Sequence, residues 1–498
     1  MNNLKLIKYL PTFIIKLFEK LIKFIPYINN EIEDQTKLLT DDLYLSMKPY
    51  KSKFNTYAKL PNKGKEYNEV LNDVKNISSI EESRWKNGYV SGGIYHGGTE
   101  HIDFINKVYS IQSQSNPLHS DLFPSASKFE SEIISMTSNI LNSNNEIKSI
   151  CGTVTSGGTE SILLAMKTYR DKCRKINKIK KPNIVIPKSA HAAFQKAGEY
   201  FNIEIKYIPI DKNYKADLKS LYKIVNRNTI CIVGSAPNFP QGTIDPIEKM
   251  SEFALKKNIN FHVDACLGGF ILPFAKKLGY PIEKFDFSLP GVTSISVDTH
   301  KYGYTSKGTS IILYKNSKIR EFQYYTNTEW SGGLYFSPTF AGSRPGALSA
   351  AAWASMISIG EQGYIESTKK ILEVAKIIKN EINKMEEIEI MGDPLWVIAF
   401  KSKKLDIYKI MDQMTKKEWN LNGLHKPACI HLCVTLLHTK KGVVERFIND
   451  LKESISFVKN NPTKSDGMAP VYGLAASLPF RGVVRNLLIK YLNNYYKV

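Results

Sequence analysis

Cysteine is scarce here and poorly placed for chemistry. The six thiols, at 151, 173, 231, 266, 429 and 433, include no Cys-x-x-Cys pair and no accompanying histidine spacing. A zinc module is excluded on that ground, and a reduced, cytosol-like compartment fits better than a disulfide-stapled secreted fold. Cys429 and Cys433 flank His431, and buried packing is their expected role.

Arginine is scarcer relative to its partner. Only nine of the 68 basic residues are Arg, so the formal charge of +21 is carried by dispersed lysine. Forked side chains that read bases and phosphates are missing in quantity, and nucleic acid is not an expected partner. A net positive field still favours anionic membranes or phosphorylated substrates.

Long apolar runs are also missing. The nearest is TFIIKLFEKLIKFI at 12–25, an amphipathic helical pattern with Thr12, Lys16, Glu19, Lys20 and Lys23 on one face. Such a helix is roughly 21 Å long, against about 30 Å of hydrocarbon in a bilayer. No small-residue cleavage site follows it, so neither a spanning helix nor a signal peptide is expected. It should lie on a surface, either a membrane or a partner subunit.

What is present is the composition of a soluble globular protein: 43% hydrophobic, 23% charged and 11% aromatic over 498 residues. That length has room for two or three domains. NIVIP at 183–187, TICIVGSAP at 229–237, NINFHVDA at 258–265, TSISVD at 293–298 and TSIILY at 309–314 alternate with helical patterns. The expected class is α/β, a mostly parallel sheet with helices on both faces. Residues 1–105 read as a helical N-terminal extension, 106–359 as the large α/β domain and 360–498 as a smaller α+β domain.

Active groups in such folds gather at strand ends. In GTVTSGGTESILLA at 152–165, Gly157, Gly158, Thr159 and Glu160 open an amphipathic helix whose free backbone N–H groups suit a phosphate. An ordinary capped helix is the plainer alternative. Asp264 ends a strand with apolar flanks, a costly place for a carboxylate unless something positive faces it. Lys301 closes SVDTHK; in a partly desolvated site near a cation its pKa is expected to fall, leaving a nucleophilic amine. An Asp264–Lys301 salt bridge is the structural alternative. His191 follows NIVIP at a strand-to-helix turn, where its ring could lie over a planar ligand. A phosphate cradle, an acid for a pyridine nitrogen, a flat ring and a lysine together describe a pyridoxal 5′-phosphate site.

DTHKYGYTSKGTSIILY (298–314), HVDACLGGF (262–270), GTVTSGGTESILLA (152–165) and NPLHSDLFP (116–124) resemble the sphingosine-1-phosphate lyase family of fold-type I pyridoxal phosphate enzymes. The likeness runs from about Ser91 to the YGLA at 472–475. It implies that Lys301 bonds the cofactor aldehyde, Asp264 faces the ring nitrogen and His191 stacks on the ring. Gly158, Thr159 and His300 match groups that hold the cofactor phosphate, and Tyr95, Asn116, His119 and Lys307 match groups around the substrate phosphate. Ser343, in GSRPG, matches a loop reaching the cofactor of a neighbouring subunit, and the family is a homodimer with shared sites.

The implied reaction breaks the C2–C3 bond of a phosphorylated sphingoid base, releasing a long-chain aldehyde and ethanolamine phosphate. The alternatives are a pyridoxal phosphate-dependent amino acid decarboxylase and a silent membrane-binding relative. Two departures bear on the substrate side: YTSKG stands where the family reads YAPKG, and FPSAS where it reads FPG.

Overall fold

Strands that are buried on both faces read as continuous apolar runs, and five such runs set the main sheet. The computed structural model describes residues 48–142, 149–461 and 481–498. The 12–25 pattern and the 472–475 segment lie outside these. Strands β1 (Cys151–Thr155), β2 (Asn183–Pro187), β3 (Glu204–Ile208), β4 (Thr229–Ser235), β5 (Asn260–Asp264), β6 (Ser294–Val297) and β7 (Ser310–Tyr314) form one sheet in the order β1-β7-β6-β5-β4-β2-β3. The pairs from β3 through to β6 are parallel. Only β7 runs against its neighbours β1 and β6, which makes the expected mostly parallel sheet a mixed one.

Register puts chemistry on one edge. Ser235, Asp264 and Ser296 lie side by side at the carboxyl ends of β4, β5 and β6. Because β7 is antiparallel, its first residue, Ser310, pairs with Thr155, the last of β1. The turn after β6 and the loop entering β7 therefore share that edge with the segment leaving β1.

Helix α1 (Gly158–Ile176) covers the sheet. Its buried positions include Ile162, Met166, Tyr169 and Cys173, one per turn, packed with Phe194, Ile184, Val233 and Ile312 in a single core cluster. Burial of each large side chain contributes roughly 1.5–3 kcal/mol. Arg174 and Lys175 in its last turn complement the negative end of the dipole. Helix α2 (Ala193–Phe201) follows β2.

The chain divides into two compact units, Met1–Tyr89 with Lys401–Ile430 and Asn449–Val498, and Val90–Phe400 with His431–Ile448. The seven-stranded sheet belongs to the second. Two short strands, β8 (Tyr325–Asn327) and β9 (Tyr335–Ser337), make a hairpin. Then β10 (Glu389–Ile390), β11 (Val397–Lys401), β12 (Asn422–Leu424) and β13 (Cys429–Cys433) form a four-stranded sheet of order β10-β11-β13-β12. A long helix, α3 (Gly346–Ile382), is broken at Gly360, whose φ of 60° lies in the left-handed region that glycine tolerates. All six cysteines are free thiols. Among the described residues no helix is long and apolar enough to cross a membrane, and no cluster of potential metal ligands occurs.

Candidate active site

The start of α1 is an open anion site. Gly157 is its N-cap and no side chain caps the helix, so the first-turn N–H groups keep the partial positive charge that draws phosphate. Glu160 instead reaches back to the Ser156 N–H at 2.7 Å and also accepts from Phe340 N at 3.1 Å. A buried hydroxyl chain fixes the turn: Thr155 Oγ1 to Ser161 Oγ at 2.7 Å, Ser161 Oγ to Ser310 Oγ at 2.9 Å, and Ser310 Oγ–H to Val297 O at 3.0 Å. Gly158 has no space for a side chain, since an added Cβ would lie 2.7 and 2.8 Å from the Asp298 carboxylate oxygens and 2.9 Å from Cys266 Sγ. Thr159 is exposed beside it.

Lys301 does not pair with Asp264. Its Nζ lies 2.9 Å from Asp298 Oδ2, three residues back along the same turn. The expected fall in its pKa is also reversed. Burial does work against the ammonium, but Asp298, with lesser help from Cys266 and Tyr95, holds the pKa above its ordinary value. The expectation failed because it overlooked the acid within the lysine's own turn, which outweighs burial.

Asp264 likewise lacks the positive partner expected of it. Its Oδ1 accepts from Cys266 N at 3.1 Å and from Ser296 Oγ at 3.4 Å, while Oδ2 has no protein donor among the described residues. It is buried at the end of β5. His191 sits exposed just before α2, with Nδ1 accepting from Ala193 N at 3.2 Å. Its only ring contact among the described residues is edge-on with Phe239, 6.4 Å away.

His300 donates from Nδ1 to Thr309 O, and its Nε2 is 3.7 Å from Asp298 Oδ2. Burial first, then Lys307 and Lys301, push its pKa down against the pull of Asp298. The ring is neutral near pH 7. Lys307 donates to His300 O at 3.1 Å and stands 4.5 Å from the centre of the Tyr95 ring. It has no carboxylate partner among the described residues; its side chain is exposed, yet partial desolvation by the groups around its amine together with the Lys301 charge lowers its pKa to about 8. Tyr95 is buried edge-on against Tyr302, 4.8 Å between rings, and burial raises its pKa.

Asn116 and Ser343 form a second group. Asn116 Nδ2 donates to Ser343 Oγ at 3.1 Å, and its Oδ1 accepts from Leu118 N and Arg344 N at 3.1 and 3.2 Å. Arg344 is clamped in turn by Glu130. His119 is exposed in the same loop, its N–H bonded to Asn116 O at 3.0 Å. Among the described residues no hydrogen bond, ion pair or ring contact joins this group directly to the one around Lys301.

These residues fit a pyridoxal phosphate. The uncapped helix suits its phosphate, Gly158 keeps the approach bare, Asp264 has an oxygen to spare, and Lys301 supplies the amine. Buried polar atoms without partners, Ser235 Oγ, Asp298 Oδ1 and Thr299 Oγ1, lie at or just after the ends of β4 and β6, as expected where a polar ligand completes a site. Reasoning from the sequence quoted Asp298 but gave it no task; the three-residue spacing to Lys301 was the available signal.

Comparison with known proteins agrees. Residues 49–403 match the family model for the pyridoxal-dependent decarboxylase conserved domain, which defines the class and its cofactor, pyridoxal 5′-phosphate. A glutamate decarboxylase from Lactobacillus brevis shares the fold at a TM-score of 0.71 and 22% identity, over 84% of this chain and 97% of its own. Nearer relatives narrow the class. A sphingosine-1-phosphate lyase of Arabidopsis thaliana is 47% identical over 96% of this chain and 88% of its own length. The solved sphingosine-1-phosphate lyase of Burkholderia pseudomallei superposes with a TM-score of 0.83 at 38% identity, covering 90% of this chain and 99% of that one. The chain belongs to the sphingosine-1-phosphate lyase family.

Proposed function

We propose that this protein cleaves the C2–C3 bond of phosphorylated sphingoid bases, giving a long-chain aldehyde and ethanolamine phosphate. The observation that carries the reading is a pair of neighbouring lysines with opposite circumstances. Lys301 is neutralised by Asp298, whereas Lys307 has no acid of its own among the described residues. One cation is held for the cofactor and the other is left for an anionic substrate.

Bound pyridoxal phosphate supplies an aldehyde for the substrate amine and a ring that accepts the electron pair of the broken bond. The chain supplies the rest. The first turn of α1, with Gly158, Thr159 and His300, holds the cofactor phosphate, and His191 covers the ring. Asp264 keeps a proton at the ring nitrogen. Lys307 and Tyr95 meet the substrate phosphate, with Asn116 and His119. A proton leaves the 3-hydroxyl and one is delivered to C2, carried by Lys301 or a histidine near it.

Asn116, His119 and Ser343 serve the site of a second copy in a homodimer. What supports this is the Asn116–Ser343 bond and the His119 N–H to Asn116 O bond, which tie the three together with no direct bond to the residues around Lys301 among the described residues. Residues 12–25 give peripheral membrane contact, supported by the amphipathic pattern, and the free thiols support a reducing, cytoplasmic setting. The boundary expected near 360 falls inside the compact unit Val90–Phe400 with His431–Ile448, where α3 breaks at Gly360.

Product analysis tests the reaction. With a phosphorylated sphingoid base the protein should release aldehyde and ethanolamine phosphate. Carbon dioxide and an amine from an amino acid, with no aldehyde from the sphingoid base, would establish the decarboxylase instead.

A further inference from the structure

Asp298 has no part in the reaction as described so far, yet it is the most constrained acid of the site. It lies one residue past β6 with only 2% of its side chain exposed. Oδ2 is 2.9 Å from Lys301 Nζ and 3.7 Å from His300 Nε2, and Oδ1 has no hydrogen-bond partner among the described residues. A buried carboxylate of this kind is expensive unless a cation meets it. Burial does oppose its ionisation, but Lys301 and then His300 outweigh that and hold the carboxyl below its usual range. The carboxylate packs directly against Gly158, where an added Cβ would lie 2.7 and 2.8 Å from its two oxygens.

We infer that Asp298 is the positioning residue of Lys301: its carboxylate grips the side-chain ammonium whenever that amine is not bonded to cofactor, keeping the nitrogen beside the start of α1. The inference rests on Lys301 being the cofactor-bonding lysine. An amine must lose its proton before it attacks an aldehyde. Asp298 therefore slows the free lysine while fixing its place, and it retains the ammonium as a proton source inside the site once a substrate amine has displaced it.

The groups facing this pair are few. His300 and Lys307 come from the same loop, Ser310 from β7, Cys266 from the turn after β5, Tyr95 from the segment before the 99–111 helix, and Cys433 from the end of β13. Burial pushes Cys433 up to about 11 and raises Tyr95 and Cys266. Near neutral pH the charges that matter are thus Asp298, Lys301 and Lys307.

The test uses cofactor-free protein pulsed with acetic anhydride between pH 7 and 12, with acetylation at Lys301 and at the exposed Lys196 read by mass spectrometry. In the wild type the midpoint of Lys301 labelling should lie above that of Lys196. Asp298→Asn should move it down, so that Lys301 labels about tenfold or more faster at pH 8, the effect of removing an opposite charge at this distance. A purely packing role would change the plateau at high pH and leave the midpoint alone. Equal midpoints for Lys301 and Lys196 in the wild type, or an unmoved midpoint in a folded Asp298→Asn, would overturn the inference; if that variant does not fold, the wild-type comparison decides. Borohydride reduction of the cofactor-loaded protein is a separate measurement, and a label on another lysine would sink the underlying assignment without touching the midpoints.

Discussion

Lys307 Nζ stands 4.5 Å from the centre of the Tyr95 ring, held by an aromatic face and a backbone carbonyl instead of a carboxylate. A cation left in this condition next to Lys301 is one that an incoming phosphate would satisfy. Lys307→Ala should therefore raise KM for the phosphorylated substrate by about 10- to 100-fold, the size of one charge-assisted hydrogen bond, with cofactor absorbance unchanged. Steady-state kinetics beside a spectrum checks both halves, and unaltered kinetics would remove Lys307 from the substrate site.

The same lysine sets a pH dependence. With its pKa lowered to about 8, Lys307 is charged below that value and loses its proton as the pH rises through it. Binding of an anionic substrate needs the charged form, so kcat/KM should fall above about pH 8. Lys307→Arg, which stays protonated, should push that limb to higher pH. A limb at the same pH in the arginine variant would assign it to another group.

Much of this site is legible in the sequence. Five strand segments and the residues at their ends followed from apolar runs, and the Asp-Thr-His-Lys turn pointed to the cofactor lysine. Strands β1 and β3 did not stand out, since Cys151–Thr155 and Glu204–Ile208 mix polar and apolar residues and do not read as apolar runs. The antiparallel course of β7 is a matter of pairing that no single segment encodes. The three-residue spacing from Asp298 to Lys301 was a signal that the pair could form, but Asp264 was also available as a partner, and only the turn geometry chooses between the two acids.

Gly158→Ala examines the cradle. Its Cβ would crowd two carboxylate oxygens and a sulfur within 3 Å, costing about 1–3 kcal/mol as overpacking does. Titration with pyridoxal phosphate should show weakened binding and thermal melting a lowered midpoint. Wild-type values for both would mean that the helix start has slack it does not display.

Asp264→Asn examines the ring partner. The amide cannot hold a proton at the ring nitrogen by charge, so kcat should drop by about 100-fold or more, the scale for losing one preorganised electrostatic partner, while the fold persists. Full activity in the variant would detach Asp264 from the chemistry.

Sharing of sites between subunits is open to complementation. Lys301→Ala and Asn116→Ala should each be nearly inactive alone. Mixed and reassembled, they should recover up to about one quarter of wild-type activity, because half of a random C2 population is mixed and each mixed dimer holds one intact site. No recovery despite verified mixed dimers would confine Asn116 to its own chain's site.

The most direct test of the whole is chemical mapping of the cofactor bond. Protein loaded with pyridoxal phosphate, reduced with borohydride and digested should carry the pyridoxyl mass on the peptide containing Lys301, and Lys301→Ala should carry none. A label on Lys307 or elsewhere, with Lys301 unmodified, would contradict the assignment on which the proposed chemistry depends.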